Sequence, residues 1–233
     1  MIGIIGAMEI EVENLKSKLT DTTTETVGGV DYFVGKMYGK NVVVAKCGVG
    51  KVFAAICAQT MILKYSPKLI INTGVAGSLS QNLGVLDVAV GSGVIQHDMD
   101  TSAIGDPVGL ISGINMVNIP TDKAASFDIA ICIKKLGLHT IRGAIASGDQ
   151  FIGSEAAKNK ILENFPESVA CEMEGAAIGQ ACYVSGVPFA VIRAISDNAN
   201  SQGHMDFPTF AKAAAVNSTN AIELFVKEYG YKY

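Results

Sequence analysis

The chain has 233 residues, 49% of them hydrophobic, which suffices for one large domain or two small ones. Its formal net charge is −4 and it has no basic cluster, which argues against a nucleic-acid or acidic-membrane partner. No apolar run reaches the ~20 residues of a membrane helix, and the N-terminus lacks the basic segment of a signal peptide. We therefore expect a soluble cytoplasmic protein.

The five cysteines point to the same compartment. Their number is odd, none lies in a C-x-x-C pair, and most lie inside apolar runs such as "VVVAKCG" and "AAICAQ". This pattern is typical of reduced, buried cysteine rather than of disulfides or metal ligands. The sequence predicts no metal site and no cofactor.

Short apolar, β-branched runs alternate with helical patterns along the chain. The predicted strands are 2–7, 41–48, 68–74, 86–95, 142–149, 169–173 and 188–197, with a hairpin at 24–39 that turns at Gly28-Gly29. The predicted helices are 51–66, 155–165, 174–186 and 208–229, the last capped by Asp206 or Thr209. A further helix follows the first strand, with Met8, Val12, Leu15 and Leu19 facing inward. This alternation predicts one α/β domain over residues 1–233.

Polar or glycine-rich segments follow several predicted strands. They are "NTGVAGS" (72–78), "SGDQF" (147–151), "EMEG" (172–175) and "SDNAN" (196–200). Ligands of α/β sheets bind at the carboxyl ends of strands, so the chemistry is expected there. We interpret "NTGVAGS" as a turn, either one whose backbone amides approach an anion or a hydroxylated ligand or a tight strand–helix turn. The least regular stretch, 98–122, is either an active-site loop or a contact to a second subunit.

Two charged residues stand out in the last predicted strand. Arg193 and Asp197 are four residues apart, so they lie on the same face of the strand. At 3.3 Å per residue they are about 13 Å apart, too far to pair with each other, so each needs its own partner. Arg193 either forms a structural ion pair or faces a ligand, because an unpaired buried charge is unfavourable. Asp197 either caps a turn or serves a site.

Other acids are harder to assign. An acid early in a helix explains Glu172 or Glu174, but not both. In "AMEIEVENL" the helical pattern places Glu9 and Glu11 on opposite flanks of the inward stripe, so periodicity does not choose between them. For His97 and Asp98 we favour a hydrogen-bonded structural pair over a catalytic one.

These segments together resemble a known family. "IGIIGAMEIEV", "GVGKV", "INTGVAGS", "SGDQFI", "CEMEGAAI" and "VIRAISDNA" are similar to motifs of the 5′-methylthioadenosine/S-adenosylhomocysteine nucleosidases, in order from Met1 to about Phe207. The resemblance implies a single α/β domain around a central mixed sheet flanked by helices. It also implies a homodimer that hydrolyses the N-glycosidic bond of a nucleoside substrate and releases adenine, with 5′-deoxyadenosine as a further candidate substrate.

The resemblance also implies residue roles. Glu11 matches the base that activates water, and Asp197 the acid that protonates adenine at N7. Glu174 and Met173 match ribose contacts, Phe151 the ring that stacks on adenine, and Ile152 a backbone contact to the base. The remaining matches are Arg193 and Ser196, polar residues near the water and Asp197, and Met8, Val49 and Phe207, apolar residues near the ribose and the 5′ group. Val75 stands in the site where the family often has serine.

Three alternatives remain at this stage: a phosphorylase of the same fold, a hydrolase of another purine derivative such as futalosine, and a non-catalytic nucleoside-binding protein. The acidic N-terminal segment and the presence of only two arginines favour water over phosphate as the nucleophile. Val75, Gln96 in place of an aromatic residue, and the unusual 98–122 stretch predict an altered preference for the 5′ substituent.

Overall fold

The structure is a computed structural model that describes residues 1–200 and 203–233. Its strands are β1 (Ile2–Gly6), β2 (Thr20–Val27), β3 (Val30–Met37), β4 (Lys40–Lys46), β5 (Leu69–Ser78), β6 (Val88–Gln96), β7 (Asn118–Pro120), β8 (Thr140–Ser147), β9 (Ser168–Glu172) and β10 (Phe189–Asp197). Its α-helices are α1 (Glu9–Ser17), α2 (Lys51–Tyr65), α3 (Lys123–Lys135), α4 (Glu155–Asn164), α5 (Gly175–Val184) and α6 (Gly203–Tyr229). Short 3₁₀ turns lie at Ser102–Ile104 and Gly230–Lys232.

The strands form one mixed sheet, as predicted. Its order is β10-β6-β8-β9-β5-β1-β4-β3-β2, and β7 pairs with β6. β10 also pairs with β5, so β5, β9, β8, β6 and β10 close into a ring from which β1, β4, β3 and β2 extend. The apolar strands are buried on both faces, which explains their continuous hydrophobic runs.

Helices cover both faces of this sheet. On one face, α2 and α5 bury Cys57 and Ile178 against side chains such as Ile5. On the other, α1, α3 and α6 pack against Ile4 and its neighbours, with Leu15, Ile129 and Phe225 among the packed side chains. Successive residues of β1 thus enter different layers, as the two-residue period of a strand requires. Burial on both faces holds the strand ends of the sheet in fixed positions.

Strand β5 changes neighbours at its centre. Along one edge it pairs with β1 from Leu69 to Asn72 and with β9 at Gly77 and Ser78, while β10 runs along the other edge. Residues 73–76 therefore have no strand partner on the first edge. A crevice opens where β1 and β9 diverge, which is the position at which open α/β sheets bind ligands.

Most predicted elements are confirmed within a few residues, including the hairpin that turns at Gly28 and Gly29. Helix α3 was not predicted, although Asp122 caps it by accepting from Ala125 N at 2.7 Å. Its buried Ala125, Ile129 and Ile133 recur four residues apart, a helical period that predicts this element.

The predicted start of the last helix is wrong. Helix α6 begins at Gly203, so Asp206 lies in its first turn instead of capping it, and Thr209 lies inside the helix. The prediction placed the start at Pro208, because proline favours the first helical position. Here Pro208 removes one N–H donor from the helix without ending it.

No helix in the described part of the chain is both long and apolar enough to span a membrane.

Candidate active site

A cavity of about 290 Å³ opens at the carboxyl ends of β1, β9 and β10, beside the point where β5 changes neighbours. Its walls come from the ends of these strands, the segments after β4 and β8, and the start of α6. The lining residues are Ala7, Met8, Glu11, Val49, Val75, Ala76, Gly77, Gln150, Phe151, Ile152, Cys171, Glu172, Met173, Glu174, Ser196, Asp197 and Phe207. Apolar side chains thus surround a few carboxyl groups, as in small-molecule sites generally.

Glu11 is the acid from the N-terminal segment that reaches the cavity. Its side chain is 3% exposed, whereas Glu9 is exposed and pairs with Lys16. Glu11 Oε2 accepts hydrogen bonds from Ala7 N at 2.7 Å and Met8 N at 2.9 Å, and Oε1 accepts from Val75 N at 3.0 Å. Burial raises the pKa of Glu11, although the nearby Arg193 charge and these amides act in the opposite direction.

The Val75 amide is available because β5 has no strand partner at this position on the edge that faces β1 and β9, while β10 pairs with the other edge. "NTGVAGS" is part of β5, so the predicted turn is wrong. The glycines serve close approach instead. A Cβ on Gly74 would lie 2.6 Å from Glu11 Oε1, and one on Gly77 would lie 2.9 Å from Asp197 Oδ1. Both carboxyl groups therefore depend on glycine in the neighbouring strand.

Asp197 ends β10 on the wall of the cavity. Its Oδ1 accepts from Ala199 N at 2.8 Å, and its Oδ2 accepts from Ser196 Oγ at 2.9 Å. Burial raises the pKa of Asp197. The turn-capping role considered from the sequence is therefore compatible with a site role, because the same side chain is fixed by its turn and lines the cavity.

Glu172 and Arg193 form a buried ion pair beneath the cavity. Arg193 Nε donates to Glu172 Oε2 at 3.1 Å, and its second guanidinium nitrogen contacts Glu172 and Asn72. Glu172 also accepts from Ser147 Oγ and from Gly175 N at the start of α5. Burial opposes ionisation of Glu172, but the Arg193 charge and these donors hold its pKa below the ordinary value. The ion-pair interpretation of Arg193 is confirmed.

Glu174 has a different environment from its neighbour. It stands before α5 and is 7% exposed, and its Oε1 accepts from Gly50 N at 2.8 Å. Burial, with the negative charge of Glu172, raises the pKa of Glu174 to about 7. The two acids of "CEMEG" are therefore distinct, because Glu172 neutralises a buried arginine and Glu174 borders the cavity.

Two aromatic rings lie at the rim of the cavity. Phe151, from the segment after β8, packs edge to face on Phe207 of α6, with ring centroids 5.9 Å apart. Phe151 remains 53% exposed and Val49 50% exposed, whereas Ile152 is buried. The rim therefore presents apolar surface that a flat ring or an apolar substituent would cover.

Known proteins resemble this chain over nearly its whole length. The Phosphorylase superfamily profile matches residues 1–227. The 5′-methylthioadenosine/S-adenosylhomocysteine nucleosidase of Shewanella sp. (strain W3-18-1) is 41% identical over 231 residues, covering 97% of this chain and 98% of the relative. The chain belongs to this nucleosidase family of the phosphorylase superfamily.

Solved structures of the superfamily agree with the fold. The Neisseria meningitidis nucleosidase in complex with methylthio-immucillin-A has a TM-score of 0.94 and 34% identity, covering 97% of this chain and 98% of that one. A native futalosine hydrolase of Helicobacter pylori has a TM-score of 0.93 and 33% identity, covering 97% of each chain. These two neighbours have the same fold, although one is named a methylthioadenosine/S-adenosylhomocysteine nucleosidase and the other a futalosine hydrolase.

The cavity brings together every predicted site residue except Arg193, which lies behind Glu172. Sequence reasoning gave no role to Asn72, Ser147 or Gly50, which hold Arg193, Glu172 and Glu174. Asn72 and Ser147 lie in "NTGVAGS" and "SGDQF", the polar strand ends that mark the site. The strand-end signal was sufficient to find them as a group, but it did not assign their partners.

The segment 98–122 is largely irregular, as expected, with a 3₁₀ turn, an isolated bridge between Ile111 and Met116, and strand β7. At its start, the hydrogen-bonded pair of His97 and Asp98 that we favoured is wrong, because Asp98 Oδ1 pairs with Lys51 and its Oδ2 accepts from Asp149 N. His97 Nε2 is buried without a hydrogen bond in the described part of the chain, and burial lowers the pKa of this histidine.

Proposed function

We propose that this protein hydrolyses the N-glycosidic bond of 5′-methylthioadenosine and S-adenosylhomocysteine, releasing adenine and the 5′-substituted ribose. 5′-Deoxyadenosine is a further candidate substrate. One observation carries the proposal. Four buried carboxyl groups, those of Glu11, Glu172, Glu174 and Asp197, line one cavity whose lining residues, among those described, include no lysine or arginine, and Glu172 is paired with Arg193 behind it.

Asp197 is the proposed general acid. A purine anion is a poor leaving group, so adenine must gain a proton as the bond breaks. The raised pKa of Asp197 keeps that proton available nearer to neutral pH than an exposed aspartate would. Ser196 and the Ala199 amide fix the carboxyl group, so the proton is presented from a defined position, proposed to be N7 of adenine.

Glu11 is the proposed general base. Its three backbone donors favour the ionised form and orient the carboxylate toward the cavity. The ribose becomes oxocarbenium-like as adenine leaves, and nearby carboxylates stabilise that positive charge. Glu11 then takes a proton from the attacking water. No metal or cofactor is required for either proton transfer.

The remaining residues are proposed to bind the substrate. Glu174 accepts a hydrogen bond from a ribose hydroxyl, with Met173 beside it. Phe151 stacks on adenine, and the Ile152 backbone bonds to its edge. The ribose and the 5′ substituent are proposed to contact Met8, Val49, Val75 and Phe207. Ser196 positions Asp197, and Arg193 acts through Glu172 from behind the cavity.

Water is favoured over phosphate because of where the cations lie. A phosphate dianion needs cationic donors, and guanidinium groups are well suited to it. Arg193 is already bonded to Glu172 and Asn72, and Arg142 stacks on Phe127 of α3 at 3.9 Å. A dianion beside Glu11 would instead face a carboxylate, which is unfavourable.

The test is product analysis by chromatography after incubation with methylthioadenosine, with and without phosphate. Adenine and free methylthioribose in both reactions would support hydrolysis, and Asp197→Asn serves as the inactive control. Methylthioribose 1-phosphate formed only with phosphate would make the protein a phosphorylase. Parallel reactions with S-adenosylhomocysteine, 5′-deoxyadenosine and futalosine give the substrate preference. No cleavage of any of the four would favour a non-catalytic binding protein.

The functional unit is proposed to be a homodimer. On α2, Val52, Phe53 and Ile56 are 69%, 59% and 48% exposed and share a helix face that continues into Val49 at the cavity rim. A second copy covering this face would bury apolar surface and complete the rim. Sedimentation equilibrium should give a dimer for the wild type and a monomer for Phe53→Glu. A monomeric wild type would contradict the proposal.

The whole chain is proposed to act as one domain in the cytoplasm. The sheet takes strands from both ends of the chain, and all five cysteines are free and buried, which suits a reducing compartment. Limited proteolysis should yield no separately folded half. Fractionation of the producing cells should place the protein in the cytoplasmic fraction, and recovery elsewhere would contradict this location.

A further inference from the structure

Three residues outside the cavity form a closed set of bonds at the start of α2, which we name the α2 bracket: Lys51, Asp98 and Asp149. Lys51 Nζ donates to Asp98 Oδ1 at 2.6 Å. Asp98 Oδ2 accepts from Asp149 N at 2.9 Å, and Asp149 Oδ1 accepts from Lys51 N at 2.8 Å. The bracket thus ties together the first turn of α2, the end of β6 and the segment after β8.

The bracket is adjacent to two parts of the proposed site. Asp149 lies two residues before Phe151, the ring proposed to stack on adenine. The Gly50 amide donates to Glu174 Oε1 at 2.8 Å, and the next amide, that of Lys51, donates to Asp149 at the same distance. Consecutive N–H groups at one helix end therefore hold the proposed ribose carboxylate and the proposed adenine segment.

The local backbone is adapted to this contact. Gly50 has a φ of +99°, in the region that favours glycine, and a Cβ there would lie 3.1 Å from Asp149 Oδ1. The Lys51 and Asp98 side chains are 19% and 16% exposed, so this ion pair is mostly shielded from water. Shielding strengthens the pair relative to an ordinary surface pair. Asp149 itself is exposed, so the segment is fixed by two exposed bonds whose partners, Lys51 and Asp98, belong to this shielded pair.

We propose that Asp149 is a positioning residue, which holds the 150–152 segment in the place where Phe151 and Ile152 meet adenine, with Lys51 and Asp98 fixing Asp149. This inference rests on the proposed function, because it takes adenine as the ligand of that segment. Without the bracket the segment remains attached at Gly148, whose N–H donates to Glu172 O at 3.1 Å, but Phe151 loses its fixed position. Stacking is then available only in part of the population.

The test is adenine binding by isothermal titration calorimetry, combined with thermal unfolding. Asp149→Ala should raise the Kd for adenine about tenfold, since stacking on one aromatic ring contributes on that order. Asp149→Asn should bind nearly as well as the wild type, because the amide oxygen still accepts from Lys51 N. Steady-state kinetics of Asp149→Ala should show a raised KM with a smaller change in kcat, as expected for a binding contact.

Asp122→Ala is the matched control. Asp122 caps α3 through Ala125 N at 2.7 Å, away from the cavity, so this variant loses a similar helix cap. It should lose similar stability while binding adenine as the wild type does. Equal adenine affinity in Asp149→Ala and the wild type would overturn the inference, as would equal weakening in the two cap variants.

Two further outcomes are informative. If Asp149→Ala does not fold, Asp98→Ala replaces it, because that variant removes the acceptor of Asp149 N and the partner of Lys51, and unchanged affinity would again overturn the inference. If the wild type neither binds adenine nor releases it from any nucleoside, the proposed function fails and this inference fails with it. If the wild type binds adenine and the variants bind it equally well, the positioning role of Asp149 is refuted but the proposed function is not.

Discussion

Replacing Glu174 by glutamine should stabilise the protein in a pH-dependent manner. Glu174 is 7% exposed, and burial beside Glu172 raises its pKa from the ordinary 4.5 to about 7. At about 1.4 kcal/mol per pKa unit, this difference makes ionised Glu174 about 3 kcal/mol less favourable in the folded than in the unfolded protein. Glutamine carries no charge and retains an oxygen that accepts from Gly50 N.

The direction of this pH dependence follows from proton binding to Glu174. Between pH 4.5 and about 7 the folded protein holds a proton on Glu174 that the unfolded chain has released. The contribution of this group to the free energy of unfolding is therefore largest below pH 4.5 and is lost as the pH rises to about 7. The Glu174→Gln variant has no such group to titrate, so its free energy of unfolding does not show this loss as the pH rises. The variant should exceed the wild type by about 3 kcal/mol at pH 8, but by under about 1 kcal/mol at pH 5.

Urea denaturation of both proteins at pH 5 and pH 8 measures this difference. Glu163→Gln, on the exposed side of α4, is the matched control, because it makes the same chemical change in water and should alter neither value appreciably. A Glu174→Gln variant whose advantage is the same at both pH values would refute the reasoning. A variant less stable than the wild type at pH 8 would show that the carboxylate has a stronger partner than Gly50 N.

Three further predictions concern the other acids. Asp197→Asn should lower kcat for adenine release by about 10²–10⁴-fold with an unchanged circular dichroism spectrum, and near-normal kcat would exclude Asp197 as the acid. The pH profile of kcat/KM should fall on the acid side as Glu11 gains a proton and on the alkaline side as Asp197 loses one. Both limbs should lie above the ordinary carboxyl range because burial raises both pKa values, and an activity that keeps rising with pH would contradict these roles. Glu172→Gln should reduce the free energy of unfolding in urea by about 3–5 kcal/mol, because it leaves Arg193 buried without its carboxylate, and a loss under about 1 kcal/mol would contradict that pairing.

The sequence predicted the strands and the polar ends of the site because both signals are local. Buried strands have continuous apolar runs, and their ends carry glycine and polar residues whatever lies beside them. Helix α3 was missed although its signal was equally local, in the four-residue spacing of its buried side chains. This spacing alone predicts the helix.

Other features depend on contacts that periodicity does not encode. Glu9 and Glu11 flank the same apolar stripe of α1, so the helical period does not distinguish them. Only Glu11 accepts a hydrogen bond from Val75 N, which is unpaired on the edge of β5 where the partner strand changes from β1 to β9. The glycines of "NTGVAGS" suggested a turn, but the structure uses them for close approach to two carboxyl groups. The spacing along the strand correctly indicated that Arg193 needs a partner other than Asp197, but it did not identify that partner, Glu172, which comes from another strand.

Arg193 is the one buried lysine or arginine among the residues that the structure describes, and its location explains how the site keeps acids of different kinds. Arg193 contacts Glu172 directly, so Glu172 stays ionised, while Glu174, with one backbone donor and a negative neighbour, has a pKa of about 7. Asp197 is held by a hydroxyl and an amide, and its pKa is raised by burial. A second cation among these acids would lower their pKa values and attract phosphate, which would weaken the proton donor and admit the wrong nucleophile. Pairing the arginine behind the cavity, rather than placing it in the wall, is therefore what suits this arrangement of acids to hydrolysis.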